Sequence, residues 1–305
     1  MDQLNNIVMF HSGSTFPSHL KFCLQQLFWW NPNTRVWFLT DKGHKANPMF
    51  KEFPNMVVVN KDNFITPKIS TFQELYKKDK DDFWTITATR LMYIEELLRT
   101  YGLNDVYHIE NDVLLYYDIS KHHSLFTQLY RSLAITVGGP DKAMTGLLFI
   151  KDSFALSRMT EFFITLLSKN PLGWIRDNYS CDMVNEMTLM RIYQKEKGES
   201  ELSSLPILPF GPYSKDADKF NSIFDPASWG QFVGGTTDGI PGAKPEDHYI
   251  GQLLRENASY KVVWKDEDHK KVPYFRYGSF LSPKEVRINN LHIHSKNLHK
   301  YLSYE

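Results

Sequence analysis

Several things are scarce in this chain of 305 residues. It has only two cysteines, Cys23 and Cys181, too few for a disulfide framework, which suggests a reducing compartment. Its 35 basic side chains are balanced by 35 acidic ones, so bulk charge draws it to neither nucleic acid nor an anionic membrane. No window reaches the roughly 18 apolar residues of a membrane span. The N-terminus, Met1-Asp2-Gln3-Leu4-Asn5-Asn6, lacks the basic and apolar regions of a signal peptide. There is no G-x-x-x-x-G-K-[ST] phosphate loop, internal repeat or low-complexity tract. A soluble cytoplasmic protein is expected. Hydrophobic residues make up 42% of the chain and aromatics 14%, enough for a large buried core.

The first half alternates strand and helix signals. Ile7-Val8-Met9-Phe10 is a short apolar run, closed by His11-Ser12-Gly13-Ser14. A helical spacing of Leu20, Cys23, Leu24, Leu27 and Phe28 follows and stops at Asn31-Pro32. Val36 to Leu39 and Met56 to Val59 read as strands, and Thr87 to Tyr101 as a helix ended by Gly102. Further on, Leu133 to Val137 and Thr145 to Ile150 predict strands, while Ser153 to Leu167, Asp182 to Tyr193 and Glu246 to Glu256 predict helices. Pro206 to Pro209 reads as a short edge strand. Gly211 to Pro245 is a long irregular stretch of the kind that forms functional loops. The expectation is an α/β fold with a mostly parallel central sheet and helices on both faces. Ligands of such sheets bind outside the carboxyl ends of the strands. One domain spanning 1–305 is expected, with a nucleotide-binding half, 1–117, and an acceptor half, 118–305.

The densest signal is Val106-Tyr107-His108-Ile109-Glu110-Asn111-Asp112. An apolar strand runs into two carboxylates one residue apart. Period-2 geometry would point Glu110 and Asp112 the same way, and like charges facing one spot call for a cation between them. Taken alone, the triplet fits a solvated turn equally well. A second cluster is Leu291-His292-Ile293-His294-Ser295-Lys296. Alternation places His292 and His294 on one face, with Lys296 beside them as a point charge for phosphate. Imidazole suits a borderline metal such as Mn²⁺.

This order of elements resembles a GT-A glycosyltransferase, the metal-dependent nucleotide-sugar transferase fold (Rossmann-like). Glu110-Asn111-Asp112 is similar to that family's DxD motif, with Glu in the first place. The C-terminal histidine segment resembles the one that completes the metal site in several GT-A families. The resemblance implies Mn²⁺ or Mg²⁺ held by Asp112, Glu110, His294 and His292, with His294 favoured between the two histidines because it is nearer Lys296. It also implies a nucleotide-sugar donor, UDP first, bound with help from Arg90, Glu110 and Lys296. By position, His11, Ser12 and Gly13 would line the nucleotide pocket, and Asp41 could accept hydrogen bonds from a base or ribose. Glu186 resembles the acidic position that follows the Gly-containing strand, with Asp182 as runner-up for the same catalytic role. The implied reaction is hexosyl transfer to a glycan or other hydroxyl acceptor, and the histidine pattern leans toward retention.

On the acceptor side, the segment around Asp225, Trp229 and Gln231 carries aromatics that could stack on sugar faces, and Asp247 offers a second carboxylate. Asp247 equally suits a helix N-terminus. Two rivals remain. A metal-dependent phospho- or nucleotidyltransferase would want the phosphate loop that is missing. A non-catalytic carbohydrate- or nucleotide-binding protein on the same fold is favoured only by Glu110 in place of Asp.

Overall fold

A computed structural model describes residues 5–76, 82–235, 248–279 and 281–304. The elements run β1 (Asn6–His11), α1 (Leu20–Trp30), β2 (Arg35–Thr40), β3 (Met56–Asn60), α2 (Pro67–Tyr76), α3 (Asp82–Tyr101), β4 (Val106–Ile109) and β5 (Val113–Leu115). Then come α4 (Ile119–Leu129), β6 (Leu133–Val137), β7 (Ala143–Ile150), α5 (Ser153–Lys169), α6 (Leu172–Tyr179), α7 (Glu186–Lys197) and β8 (Leu202–Ser204). The last third holds α8 (Ala217–Phe220), β9 (Ser222–Ile223), α9 (Trp229–Gly234), α10 (Tyr249–Glu256), β10 (Lys261–Glu267), β11 (Lys270–Ser279), β12 (Ser282–Ile288) and β13 (Asn290–His292).

The main sheet has the order β3-β2-β1-β4-β7-β6-β8. Every neighbouring pair is parallel except those made by β7, which runs against both β4 and β6. Alternate residues serve opposite faces: Ile7 and Met9 enter one core, Val8 and Phe10 the other. Burial on both faces is why these strands read as unbroken apolar runs. The β4–β7 pairing crosses residue 117, so strands from both halves share one sheet. No helix among the described residues is long and apolar enough to cross a membrane.

Several details depart from the sequence expectations, among them the start of α3 at Asp82 and not Thr87. Pro206 to Pro209 forms no strand; the edge strand is β8, parallel to β6. The helix expected from Asp182 starts at Glu186, because the Asn185 side chain caps it by accepting Thr188 N–H at 3.0 Å. A second sheet, β10-β11-β12-β9, occupies a region where no strands were anticipated.

Strand order places the site. β1 lies between β2 and β4, both parallel to it, so the chain reverses its direction of progress across the sheet at β1. That switch point opens a crevice at the carboxyl ends of β1 and β4. Antiparallel β7 brings its first residues, Met144 and Thr145, to the same rim. The two-stranded sheet β5–β13 pairs His292 with Val113, and Ile293 N–H donates to Asp112 O at 2.9 Å. The C-terminal histidine is thereby fixed opposite the acidic triplet.

Candidate active site

A cavity of about 580 Å³ opens at this crevice. Glu110, Asn111 and Asp112 lie on its floor, in a turn rather than a strand: Val113 N–H donates back to Glu110 O at 3.2 Å. The two carboxylates do converge, but the turn brings them together, not strand alternation. His292 Nε2 lies 3.1 Å from Asp112 Oδ1 and 3.3 Å from Glu110 Oε2. Lys296 Nζ pairs with Asp112 Oδ2, and the Arg90 guanidinium pairs with Glu110 Oε1.

Charge explains the protonation at this floor. Burial pushes the Asp112 and Glu110 carboxyls up, but His292 and Lys296 at Asp112, and Arg90 and His292 at Glu110, outweigh it and hold both below the usual carboxylate range. Burial opposes a charged His292, yet Asp112 and Glu110 raise its pKa. His294 goes the other way: burial and the neighbouring His292 push it down to about 3. Its Nδ1 is 2.8 Å from Gln231 Nε2, and its ring meets that of His292 edge-on at 4.3 Å.

Two close approaches hold His292 in place. A Cβ on Gly230 would lie 2.2 Å from His292 O, and one on Gly146 would lie 2.9 Å from its Nδ1. Glycine is thus required where α9 crosses β13 and where β7 passes behind the ring. Asp225 completes the support. It is 1% exposed, and it accepts four backbone N–H groups: Ser228 (2.7 Å), Trp229 (2.8 Å), Gly230 (2.8 Å) and His292 (2.8 Å).

Glu110, Asp112 and His292 offer ligand atoms that all lie within 4.8 Å of one another. Two carboxylate oxygens and one imidazole nitrogen form a donor set suited to a divalent cation such as Mn²⁺ or Mg²⁺, with the nitrogen favouring Mn²⁺. The residues therefore fit the metal that the sequence implied. His292, not the favoured His294, is the histidine that meets both carboxylates.

Deeper in the wall, Arg90 bridges two acids. It reaches Glu186 Oε1 at 3.5 Å as well as Glu110, and donates to Thr145 Oγ1 at 2.5 Å. Thr145 in turn donates to Glu110 Oε1 at 2.6 Å, and Thr87 to Glu186 Oε2 at 3.1 Å. Burial holds the Glu186 carboxyl above the ordinary glutamate range despite the opposing pull of Arg90.

No protein-family model and no curated protein matches this sequence. Solved structures do. Mouse xyloside xylosyltransferase 1 superposes with a TM-score of 0.51 at 9% identity, over 66% of this chain and 85% of that one. The GT-A resemblance noted in the sequence and this superposition agree. The fold is GT-A. More distant matches include GlyE of Streptococcus pneumoniae TIGR4 (TM-score 0.42, 11% identity, 84% of this chain and 60% of that one). Another is the galactosyltransferase LgtC, solved with donor and acceptor sugar analogues (0.38, 13%, 66% and 73%). At these identities the likeness is one of fold.

Within this GT-A fold the expected site residues separate into two groups. His11, Ser12, Arg90, Glu110, Asp112, Glu186, Gln231, His292, His294 and Lys296 all line the one cavity. The others do not. Gly13 N–H donates to Asp41 Oδ2 at 2.9 Å, and Asp41 also pairs with Lys61 at 3.0 Å, so Asp41 braces the loop after β1 instead of facing the cavity. Asp182 is exposed in the turn before α7. Trp229 is fully buried on Phe275, with ring centroids 4.5 Å apart, and is core rather than a sugar platform. Asp225 is a backbone anchor, not an acceptor contact. Asp247 lies outside the described residues. Sequence reading missed Thr145, Phe83 and Trp84, all of which line the cavity. Thr145 directly precedes Gly146; Phe83 lies four and seven residues before Thr87 and Arg90, a helical spacing that the expected helix start at Thr87 cut off.

Proposed function

We propose that this protein is a metal-assisted glycosyltransferase. It would move a sugar from a nucleoside-diphosphate sugar, a UDP-sugar first, to a hydroxyl acceptor. The observation that carries this reading is the Glu110–Asp112–His292 cluster at the β1/β4 switch point of a GT-A fold. These three residues would hold the cation, which when bound supplies positive charge to the departing diphosphate. Lys296, at the open side of Asp112, adds a second positive charge toward the same phosphates. His11 and Ser12, at the end of β1, line the nucleotide side.

In the transfer, the acceptor oxygen bonds to the anomeric carbon. The bond from that carbon to the diphosphate oxygen breaks, and its electron pair leaves with the phosphate. Glu186 faces the cavity with a carboxyl of raised pKa, suited to accept the hydroxyl proton on an inverting path. On a retaining path, which the histidine pattern favours, its negative charge would stabilise the oxocarbenium-like sugar, and the departing phosphate oxygen would take the hydroxyl proton. Arg90 is a positioning residue that fixes Glu186 relative to Glu110.

The test is turnover. UDP-, GDP- and CDP-sugars are incubated with the protein and Mn²⁺, Mg²⁺ or EDTA, and release of nucleoside diphosphate is followed. Release from one nucleotide class, dependent on metal and lost in Asp112→Asn, is expected, and NMR of the product anomer then gives the stereochemistry. Metal-dependent binding without release from any donor would sink the enzyme reading in favour of a binding protein.

A further inference from the structure

The floor of the cavity is charged, but its outer wall is aromatic. One face of α3 supplies that wall. Phe83, Trp84, Thr87 and Arg90 all line the cavity, and spacings of three, four and seven put them on one side of a helix. Arg90 lies at the deep end, on Glu110 and Glu186. One turn outward, Thr87 donates to Glu186. A further turn outward, the Phe83 and Trp84 rings meet edge-on, 5.1 Å apart at 77°. Trp84 precedes Arg90 by six residues, about 9 Å of helix axis. Met187, adjacent to Glu186, adds apolar surface on the facing helix.

Phe83 is 62% exposed at this mouth, and large aromatics beside convergent polar groups are the mark of a ligand surface. A pyranose has one face of C–H bonds and a rim of hydroxyls. An aromatic platform flanked by a hydroxyl and a carboxylate matches both. The cation set, Lys296 and the end of β1 already occupy the diphosphate and nucleotide side, which leaves this wall to the other reactant.

We propose that Phe83 and Trp84 form the stacking platform for the ring of a saccharide acceptor, holding its reactive hydroxyl over the cavity floor. The assignment rests on the transfer reading above and names its acceptor class.

The experiment pairs two readouts. Saturation-transfer NMR with methyl glycosides of glucose, galactose, mannose and N-acetylglucosamine, in the presence of UDP and Mn²⁺, measures binding without turnover. Steady-state kinetics with the same glycosides measures acceptor and donor KM. At least one glycoside is expected to bind. Trp84→Ala should weaken its binding and raise its KM about tenfold, with donor KM held within about twofold and most of the loss recovered in Trp84→Phe. A UDP-induced rise in melting temperature shows that each variant is folded; if Trp84→Ala fails this, Phe83→Ala and Trp84→Phe carry the comparison. Three results would overturn the proposal: no glycoside bound by the native protein, glycoside affinity unaltered by the substitutions, or loss of UDP affinity alone. Glycoside binding lost in Trp84→Ala without any sugar transfer would sink the transferase reading and keep the platform. Transfer indifferent to Trp84 would do the reverse.

Discussion

Gly230→Ala is the sharpest perturbation of the site made without touching a ligand atom. A methyl group there would lie 2.2 Å from His292 O and 2.6 Å from its C and N. Ordinary contacts begin at 3.4 Å, so α9 and β13 would have to separate by about 1 Å. β13 cannot drift freely. Asp225 Oδ2 accepts its His292 N–H at 2.8 Å, and Asp112 O accepts Ile293 N–H at 2.9 Å. Overpacking against a fixed backbone, with one charge-assisted hydrogen bond stretched, should cost about 2–5 kcal/mol. For a chain of this size that lowers the melting midpoint by roughly 3–8 °C. The same displacement takes His292 away from Glu110 and Asp112 and should weaken Mn²⁺ binding about 10- to 100-fold. Calorimetry gives the first number, and the electron paramagnetic resonance signal of free Mn²⁺ gives the second. Gly43→Ala, with open space around its Cβ, is the control and should match the native protein. A Gly230→Ala protein with native midpoint and native Mn²⁺ affinity would refute the reasoning.

Asp225→Asn replaces the oxygen that accepts Gly230 and His292 N–H with an amide donor; urea unfolding should show a loss of about 3–5 kcal/mol. An unchanged stability with a raised acceptor KM would instead return Asp225 to the acceptor side. Arg90→Met leaves Glu110 and Glu186 buried without their shared cation and should cost about 3–5 kcal/mol. Arg90→Lys should recover it only in part, because the shorter lysine side chain ends short of Nη2, the single nitrogen that meets both carboxylates; full recovery by Lys would refute the need for that reach. Burial, then Lys142, depress His248 to about 4 against 6.5 unfolded. A depressed histidine contributes stability that is fully present above the unfolded pKa and is lost as pH falls from 6.5 toward 4, up to about 3 kcal/mol. His248→Asn should flatten that acid limb in pH-dependent unfolding, and an identical slope in native protein and variant would count against it.

Legibility in the sequence tracked burial. β1, β2 and β4 are buried on both faces, so each read as an apolar run closed by polar residues; β3, half-buried at the sheet edge, read the same way from its valines, and the rim of the site followed from those closures. β10, Lys261 to Glu267, is half solvated and rich in charge, so its apolar run of Val262 to Trp264 was too short to register and its sheet passed unread. Pro206 to Pro209 has the composition of an edge strand but lacks a partner, which Leu202 to Ser204 finds in β6. At the site, Asp112 and Lys296 are 184 residues apart, yet both stood out because each sits in a short motif whose chemistry is recognisable alone. Alternation put His292 and His294 on one face, and nearness to Lys296 favoured His294; the register of β13 on β5 instead sets His292 against both carboxylates. Trp229 looked like a sugar platform because an aromatic in an irregular segment gives no indication of its burial. Phe83 and Trp84 lay ahead of the expected helix start at Thr87, so the face they share with Arg90 was not visible.

The central claim is a cation site built by Glu110, Asp112 and His292 that serves a nucleoside diphosphate. Its most direct test is Mn²⁺ titration, with and without UDP, of the native protein, His292→Ala and His294→Ala. UDP should tighten Mn²⁺ binding in the native protein, and His292→Ala should weaken it by about tenfold or more, with a smaller effect from His294→Ala. Native Mn²⁺ affinity in His292→Ala, or no coupling between UDP and Mn²⁺ in the native protein, would contradict that claim.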